Sequence, residues 1–219
     1  MNYLLWQLAD SGFPSGGFAH SGGLEAAMQH GFAQDLSSVR AFARQAVLQA
    51  GRGALPLASA AHRDPARLAE LDDLANAFLS SPVANRASCA QGRALLASAA
   101  RSFPAAPIAP IESHVRAAGL AGHHAPLFGA ITRALQVELA DAQRLLLYLI
   151  ARGVGGAAVR LGLIGAYDAQ ELQMSLAPHI EYAAERFADL DPLDISQPAP
   201  LLDLFQSTHD RLYSRLFQS

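Results

Sequence analysis

The chain reads as an all-α protein, a single compact bundle of about eight to ten helices over residues 1–219. Three observations carry that reading. Apolar residues recur at helical spacing almost everywhere, and nowhere do several residues alternate strictly as a half-buried strand requires. With 51% of residues hydrophobic and 16% charged, the chain can bury a large core and is not of the disordered class. The Pro- and Gly-rich interruptions are short, which suits antiparallel neighbours, and no segment repeats at a fixed period.

The elements follow in order. Ser11 to Glu25 is a glycine- and serine-rich tract in which Gly12, Gly16, Gly17, Gly22 and Gly23 allow positive φ and close approach, and Pro14 fixes one φ. Ordering such a tract costs conformational entropy, so something must use it. Ser37 or Ser38 can cap a helix whose Val39, Phe42, Ala43, Ala46 and Val47 share a face and which Gly51 and Gly53 end. Asp64-Pro65 opens the next, with Leu68, Leu71, Ala75, Phe78 and Leu79 in one stripe and an end near Pro82. Another runs from Ala84 to about Arg101, followed by a proline-marked connection at Pro104, Pro107 and Pro110, a short helix around Glu112 to Ala118, and a loop from Gly119 to Pro126. Helices then span about Pro126 to Val137 and Asp141 to Arg152, the second apolar on most sides and expected to be central. Gly153, Gly155 and Gly156 are expected to break it before Ala157 to Gly165. Asp168 and Glu171 read as a capping pair for a helix that Pro178 ends or kinks, and after a rigid Asp191 to Pro200 connector a last helix covers about Leu201 to Phe217.

Composition excludes several functions. All basic side chains except the histidines are arginine, which removes P-loop lysine and Schiff-base chemistry. A net charge of −3 with interspersed signs offers no stripe for a nucleic-acid backbone. The longest apolar runs, such as Leu145 to Ile150, fall far short of the ~20 residues a membrane span needs. Met1 to Ala9 lacks a basic start and a cleavage signal, so a cytoplasmic protein is expected. Cys89 is the only cysteine, too few for an internal disulfide or a thiolate cage.

Individual residues suggest little catalysis. Ser21 sits between small residues as in a nucleophile elbow, but the strand that elbow needs is missing, and the same glycines make only a weak phosphate cradle. No histidines pair at i, i+4; His123 and His124 are adjacent in a glycine-rich loop, where solvated rings are expected and a surface nickel or zinc contact is the alternative. Asp72-Asp73 and Asp189/Asp191 read as solvated faces and helix ends. Arg160, in an apolar glycine-flanked segment, is costly unless salt-bridged or presented to a partner, even as an arginine finger. Arg144 and Tyr148, one turn apart on the most apolar helix, fit a buried pair or a subunit interface. No catalytic or metal-binding set emerges; an arginine-bearing helical exterior points to binding other proteins.

Four stretches together resemble one family. Leu4-Leu5-x-Gln7-Leu8-x-Asp10-Ser11-x-x-Pro14-x-Gly16-Gly17-Phe18-x-x-Ser21-x-Gly23-Leu24-Glu25 is similar to the N-terminal signature of the UreF family of urease accessory proteins. Arg86 with Gln91-Gly92-Arg93, Val159-Arg160-Leu161-Gly162 with Gln170, and His209 with Arg215-Leu216-Phe217 and Ser219 resemble its later motifs; Ser15 departs from the aliphatic residue often found there. The resemblance implies an all-helical, dimeric, non-enzymatic adaptor that joins UreD (UreH in some organisms) and the GTPase UreG, modulates that GTPase, and helps nickel enter apo-urease without holding a cofactor stably. The candidate interface residues are Phe18, His20, Glu25, Arg144, Tyr148, Arg160, His209, Arg215 and Phe217. Two other readings stay open: a serine hydrolase using Ser21, and a standalone nickel carrier using His123 and His124.

Overall fold

The computed structural model describes residues 3–219, and every element in them is helical. In chain order these are α1 (Tyr3–Ala9), α2 (Leu24–Gln29), α3 (Leu36–Arg52), α4 (Ala54–Arg63), α5 (Leu68–Phe78) and α6 (Pro82–Ser102). They continue with α7 (Ala109–Ala117), α8 (His124–Ala134), α9 (Leu139–Arg160), α10 (Ala166–Phe187) and α11 (Pro200–Thr208). Short 3-10 turns lie at Gly17–Ala19, Pro65–Arg67, Pro192–Asp194 and His209–Arg211. The described residues thus hold eleven α-helices, slightly more than expected from the sequence.

Local chemistry sets the boundaries. Helix α3 begins on Asp35, whose carboxylate accepts from Ser38 N at 2.8 Å while Ser38 Oγ accepts from Asp35 N at 3.1 Å. Ser38 therefore completes the cap rather than forming it, a reciprocal arrangement that satisfies two free donors. Helix α3 stops at Arg52, but the chain turns at Gly53 straight into α4, which the sequence reading passed over. Every residue from Leu55 to His62 is buried, so α4 has no polar face and no amphipathic period to reveal it. It packs against α8 where Gly129 brings the two backbones together; a Cβ there would lie 2.0 Å from the Ala58 carbonyl oxygen.

Helix α9 runs between α3 and α10 and is the central element, with Leu146, Leu147, Ala151 and Ala158 fully enclosed. It does not break at its glycines. Gly155 faces Leu172 and Ala169 of α10 at van der Waals range, and the burial of Ala151, Val154, Ala157 and Ala158 offsets the ~1 kcal/mol each glycine costs a helix. Helix α10 likewise continues through Pro178, which is exposed, and starts with Gly165 N donating to Asp168 Oδ2 at 2.9 Å. Glu171 takes no part in that cap and pairs with Arg40 at 2.8 Å. The last expected helix is cut short: α11 ends at Thr208, and after the 3-10 turn the chain from Leu212 to Ser219 has no regular element.

Candidate protein-interaction site

Residues from opposite ends of the sequence meet at one place. Glu25, in the first turn of α2, is 2% exposed, and its carboxylate accepts from Leu216 N at 2.6 Å and Phe217 N at 3.1 Å. His209, fully buried, places Nε2 3.0 Å from the same carboxylate. With both carboxylate oxygens accepting, Nε2 is the donor and His209 Nδ1 is left without a partner. Beside this centre the tail is stitched to the glycine-rich tract: Ser21 N and Ser21 Oγ donate to the Ser219 main-chain oxygen at 2.6 and 3.0 Å, and Gln218 N donates to Ala19 O at 2.8 Å. Gly23, at φ +93°, lets this tract pass under α11; a Cβ would meet Gln206 N at 3.0 Å.

Arg160, at the end of α9, fastens the same assembly from the side. Its guanidinium lies 3.6 Å from the Phe18 ring centroid and 4.2 Å from that of Phe217, and it donates to the Phe18 carbonyl. The arginine is therefore held by cation–π contacts and one main-chain acceptor, not by a carboxylate. Arg86 of α6 reaches Asp210 at 2.6 Å, and Arg215 reaches the same carboxylate at 3.3 Å. The hydrogen bond from Arg86 is the main cause holding the Asp210 carboxyl below its ordinary range. His20 Nδ1 sits 2.6 Å from Ser219 Oγ, and burial, with a smaller effect of His209, keeps this imidazole below its usual pKa. The result is a clasp whose buried centre is polar and whose rim is apolar, with Phe18, Tyr213 and Leu216 all exposed.

Of the residues selected from the sequence, Phe18, His20, Glu25, Arg160, His209, Arg215 and Phe217 thus converge on the clasp. Arg144 and Tyr148 do not: Arg144 bonds Glu181 on α10 at 2.8 Å, on another face of α9. Sequence reading missed Asp210 as the link between Arg86 and Arg215, although Arg86 and the Asp210 neighbourhood both lie in the recognised motifs. Ser21 is buried, its hydroxyl donates to Ser219, and among the described residues no histidine or carboxylate side chain bonds it.

The second polar centre corrects two expectations. Asp72 is not on a solvated face; it is 1% exposed and accepts from Gly122 N at 3.1 Å and His123 N at 2.7 Å. His123 is not solvated either: it is fully buried, with Nδ1 3.1 Å from Ser88 Oγ and Nε2 3.3 Å from Asn76 Oδ1. His124 packs its ring on Phe128 instead, and desolvation lowers its pKa to about 4. Burial likewise holds His123 down and pushes the Cys89 thiol up. Among the described residues no group of three or more His, Cys, Asp or Glu is arranged to hold a metal ion, and no helix is long and apolar enough to cross a membrane.

Comparison with known proteins gives this geometry a family. A family model described as UreF matches residues 33–177. Urease accessory protein F of Oryza sativa subsp. indica is 38% identical over 221 residues, covering 97% of this chain and 83% of that protein. The protein of the same name from Arabidopsis thaliana is 33% identical over 223 residues, covering 100% of this chain and 93% of its own length. Urease accessory protein UreF of Arthrobacter sp. (strain FB24) is 31% identical over 215 residues, with 98% and 96% covered. The family model stops short of both arms of the clasp, whereas the Arabidopsis alignment takes in the whole chain. With the family model, the near-full-length relatives and the all-helical fold in agreement, the chain belongs to the UreF family of urease accessory proteins.

Proposed function

We propose that this protein is a cytoplasmic, homodimeric adaptor in GTP-dependent nickel insertion into apo-urease, joining UreD/UreH to the GTPase UreG and modulating GTP turnover while breaking no bonds itself. The observation that carries the reading is the clasp: two terminal segments fixed to each other through Glu25 and Arg160, with an apolar rim left outward. A rigid, partly apolar rim around a satisfied polar centre is the composition of a protein-binding surface. Nickel is cargo of the complex in this reading, not a resident cofactor. Regulation of the GTPase requires only that the adaptor bind its nucleotide states with different affinities.

The tail is the proposed UreD-facing surface, and its packing dictates how to test it. Deleting Leu201 to Ser219 would uncover the core around Phe205, His209 and Phe217, so loss of binding would carry no information. Exchanging the outward side chains is cleaner. The Tyr213→Ala/Leu216→Ala double variant should keep the wild-type circular dichroism and melting temperature, fail to co-purify with UreD, and fail to restore urease activity in cells lacking the wild-type protein. Undiminished co-purification would remove the tail from the interface; full urease activation by Arg160→Ala together with that result would remove the clasp from the function.

A further inference from the structure

An open cleft of about 440 Å3 lies away from the clasp, lined by Arg44 and Arg52 from α3, His179, Tyr182 and Phe187 from α10, and Pro198 of the connector before α11. That volume falls in the ~300–1,000 Å3 range of sites that take small ligands or short side-chain clusters. Its charges are unbalanced. Neither Arg44 nor Arg52 takes part in any ion pair among the described residues. Carboxylates on the neighbouring α10 and α11 are engaged elsewhere: Glu171 by Arg40, Glu181 by Arg144, and Asp203 by Gln49 at 2.7 Å. Glu185 adds its field to Arg144, on the α9 side of α10.

Two polar atoms in the lining, Arg52 Nε and His179 Nδ1, are buried and have no hydrogen-bond partner. Arg52 Nε can only donate and costs its desolvation while unmatched; His179 Nδ1 donates or accepts according to its tautomer. The Arg52 guanidinium is steadied by the Phe187 ring, 5.5 Å from its centroid, and Tyr182 meets Phe187 edge-on at 6.4 Å with an outward, exposed ring of its own. Cations with free donors beside an aromatic floor match a ligand that is anionic and apolar at once.

We propose that this cleft binds an acidic peptide segment of a protein partner, with a carboxylate against Arg44 and Arg52 and a neighbouring apolar side chain on Tyr182 and Phe187. The assignment does not rest on the urease reading. A free inorganic anion would satisfy the arginines but leave the rings unused, and an apolar segment would leave the Arg44 and Arg52 charges uncompensated.

The test titrates the full chain into a fluorescein-labelled hexapeptide of alternating glutamate and phenylalanine, read by anisotropy. Saturable binding is expected, about tenfold weaker for Arg44→Glu and for the peptide with glutamine in place of glutamate, and weakened by salt. Tyr182→Ala, also at an exposed position, should weaken it several-fold without touching the charges. Equal binding of the glutamine peptide overturns the proposal, as does no binding at all. Complete displacement by inorganic phosphate with Tyr182→Ala unaffected marks a simple anion site instead. A change in the sedimenting species of Arg44→Glu without peptide marks a contact between copies of this chain, and equally overturns it.

Discussion

Two buried carboxylates solve the same problem at two places that both border α6, where Arg86 reaches the clasp and Ser88 reaches His123. Asp72 receives the main-chain N–H groups of Gly122 and His123, and Glu25 receives those of Leu216 and Phe217. Each thereby fixes an irregular segment that no helix ladder supports, and a carboxylate accepting such bonds is worth more than a neutral acceptor. The difference lies in what surrounds them. Around Asp72 the fixed segment is turned inward: Gly122 and His123 are buried, His123 bonds the half-buried Ser88 and the exposed Asn76, and the segment leads directly into α8. Around Glu25 the fixed segment carries Tyr213 and Leu216 outward, and the exposed Phe18 ring lies on Arg160 beside it. One carboxylate holds the scaffold together; the other holds a surface in shape.

Glu25→Ala is expected to give the largest effect, because it leaves two main-chain donors and His209 unmatched in a buried site. The loss should be about 3 kcal/mol and local, on the order of a hundredfold in hydrogen-exchange protection of Leu216 and Phe217, with the scaffold still folded. Asp72→Ala should cost about 2–3 kcal/mol of global stability by denaturant titration and leave exchange in the tail unchanged. Identical exchange maps for the two variants would erase the distinction between scaffold and surface.

Acid should weaken the scaffold centre through His123 and His124. His124 is held at about 4 and His123 below its ordinary value, so below pH ~6.5 the unfolded chain takes up more protons at these rings than the folded protein does. Stability is thus fully present above that pH and falls progressively towards pH 4, by up to about 2 kcal/mol once the partial exposure of His124 is discounted. His124→Gln should make this slope clearly shallower in urea titrations at pH 7 and pH 5, leaving the part due to His123. The smallest effect is expected for Arg144→Ala: its partner Glu181 is half exposed, so stability should change by no more than about 0.5 kcal/mol. A large loss there, or a change in sedimentation, would restore that face of α9 as a subunit contact.

The sequence carried the helical class and most of the clasp residues, for different reasons. Amphipathic spacing predicts α3 and α5 closely because each shows one face to water. It failed for α4, whose faces are all covered, and for α9, where packing on α10 overrides three glycines that locally favour a break. Leu212 and Leu216 have helical spacing, but the main-chain donors there are taken by Glu25, which draws the segment out of a helix. Glu25, His209 and Arg160 were found through motif resemblance, yet no local pattern says that residues separated by most of the chain would touch. Asp72 was misread since a pair of adjacent acids normally marks a wet surface, and only the arrival of Gly122 makes one of them interior.

The bond from Phe217 to Glu25 also imposes an order of events on the making of the protein. A ribosome must translate beyond residue 216 before the carboxylate of α2 finds its donors, although α2 itself emerged near the start of synthesis. Until then the Glu25 carboxylate lacks both of its main-chain donors. A chain that stopped within the His209–Arg211 turn would still contain the sequences of all eleven α-helices but neither of the main-chain donors to Glu25.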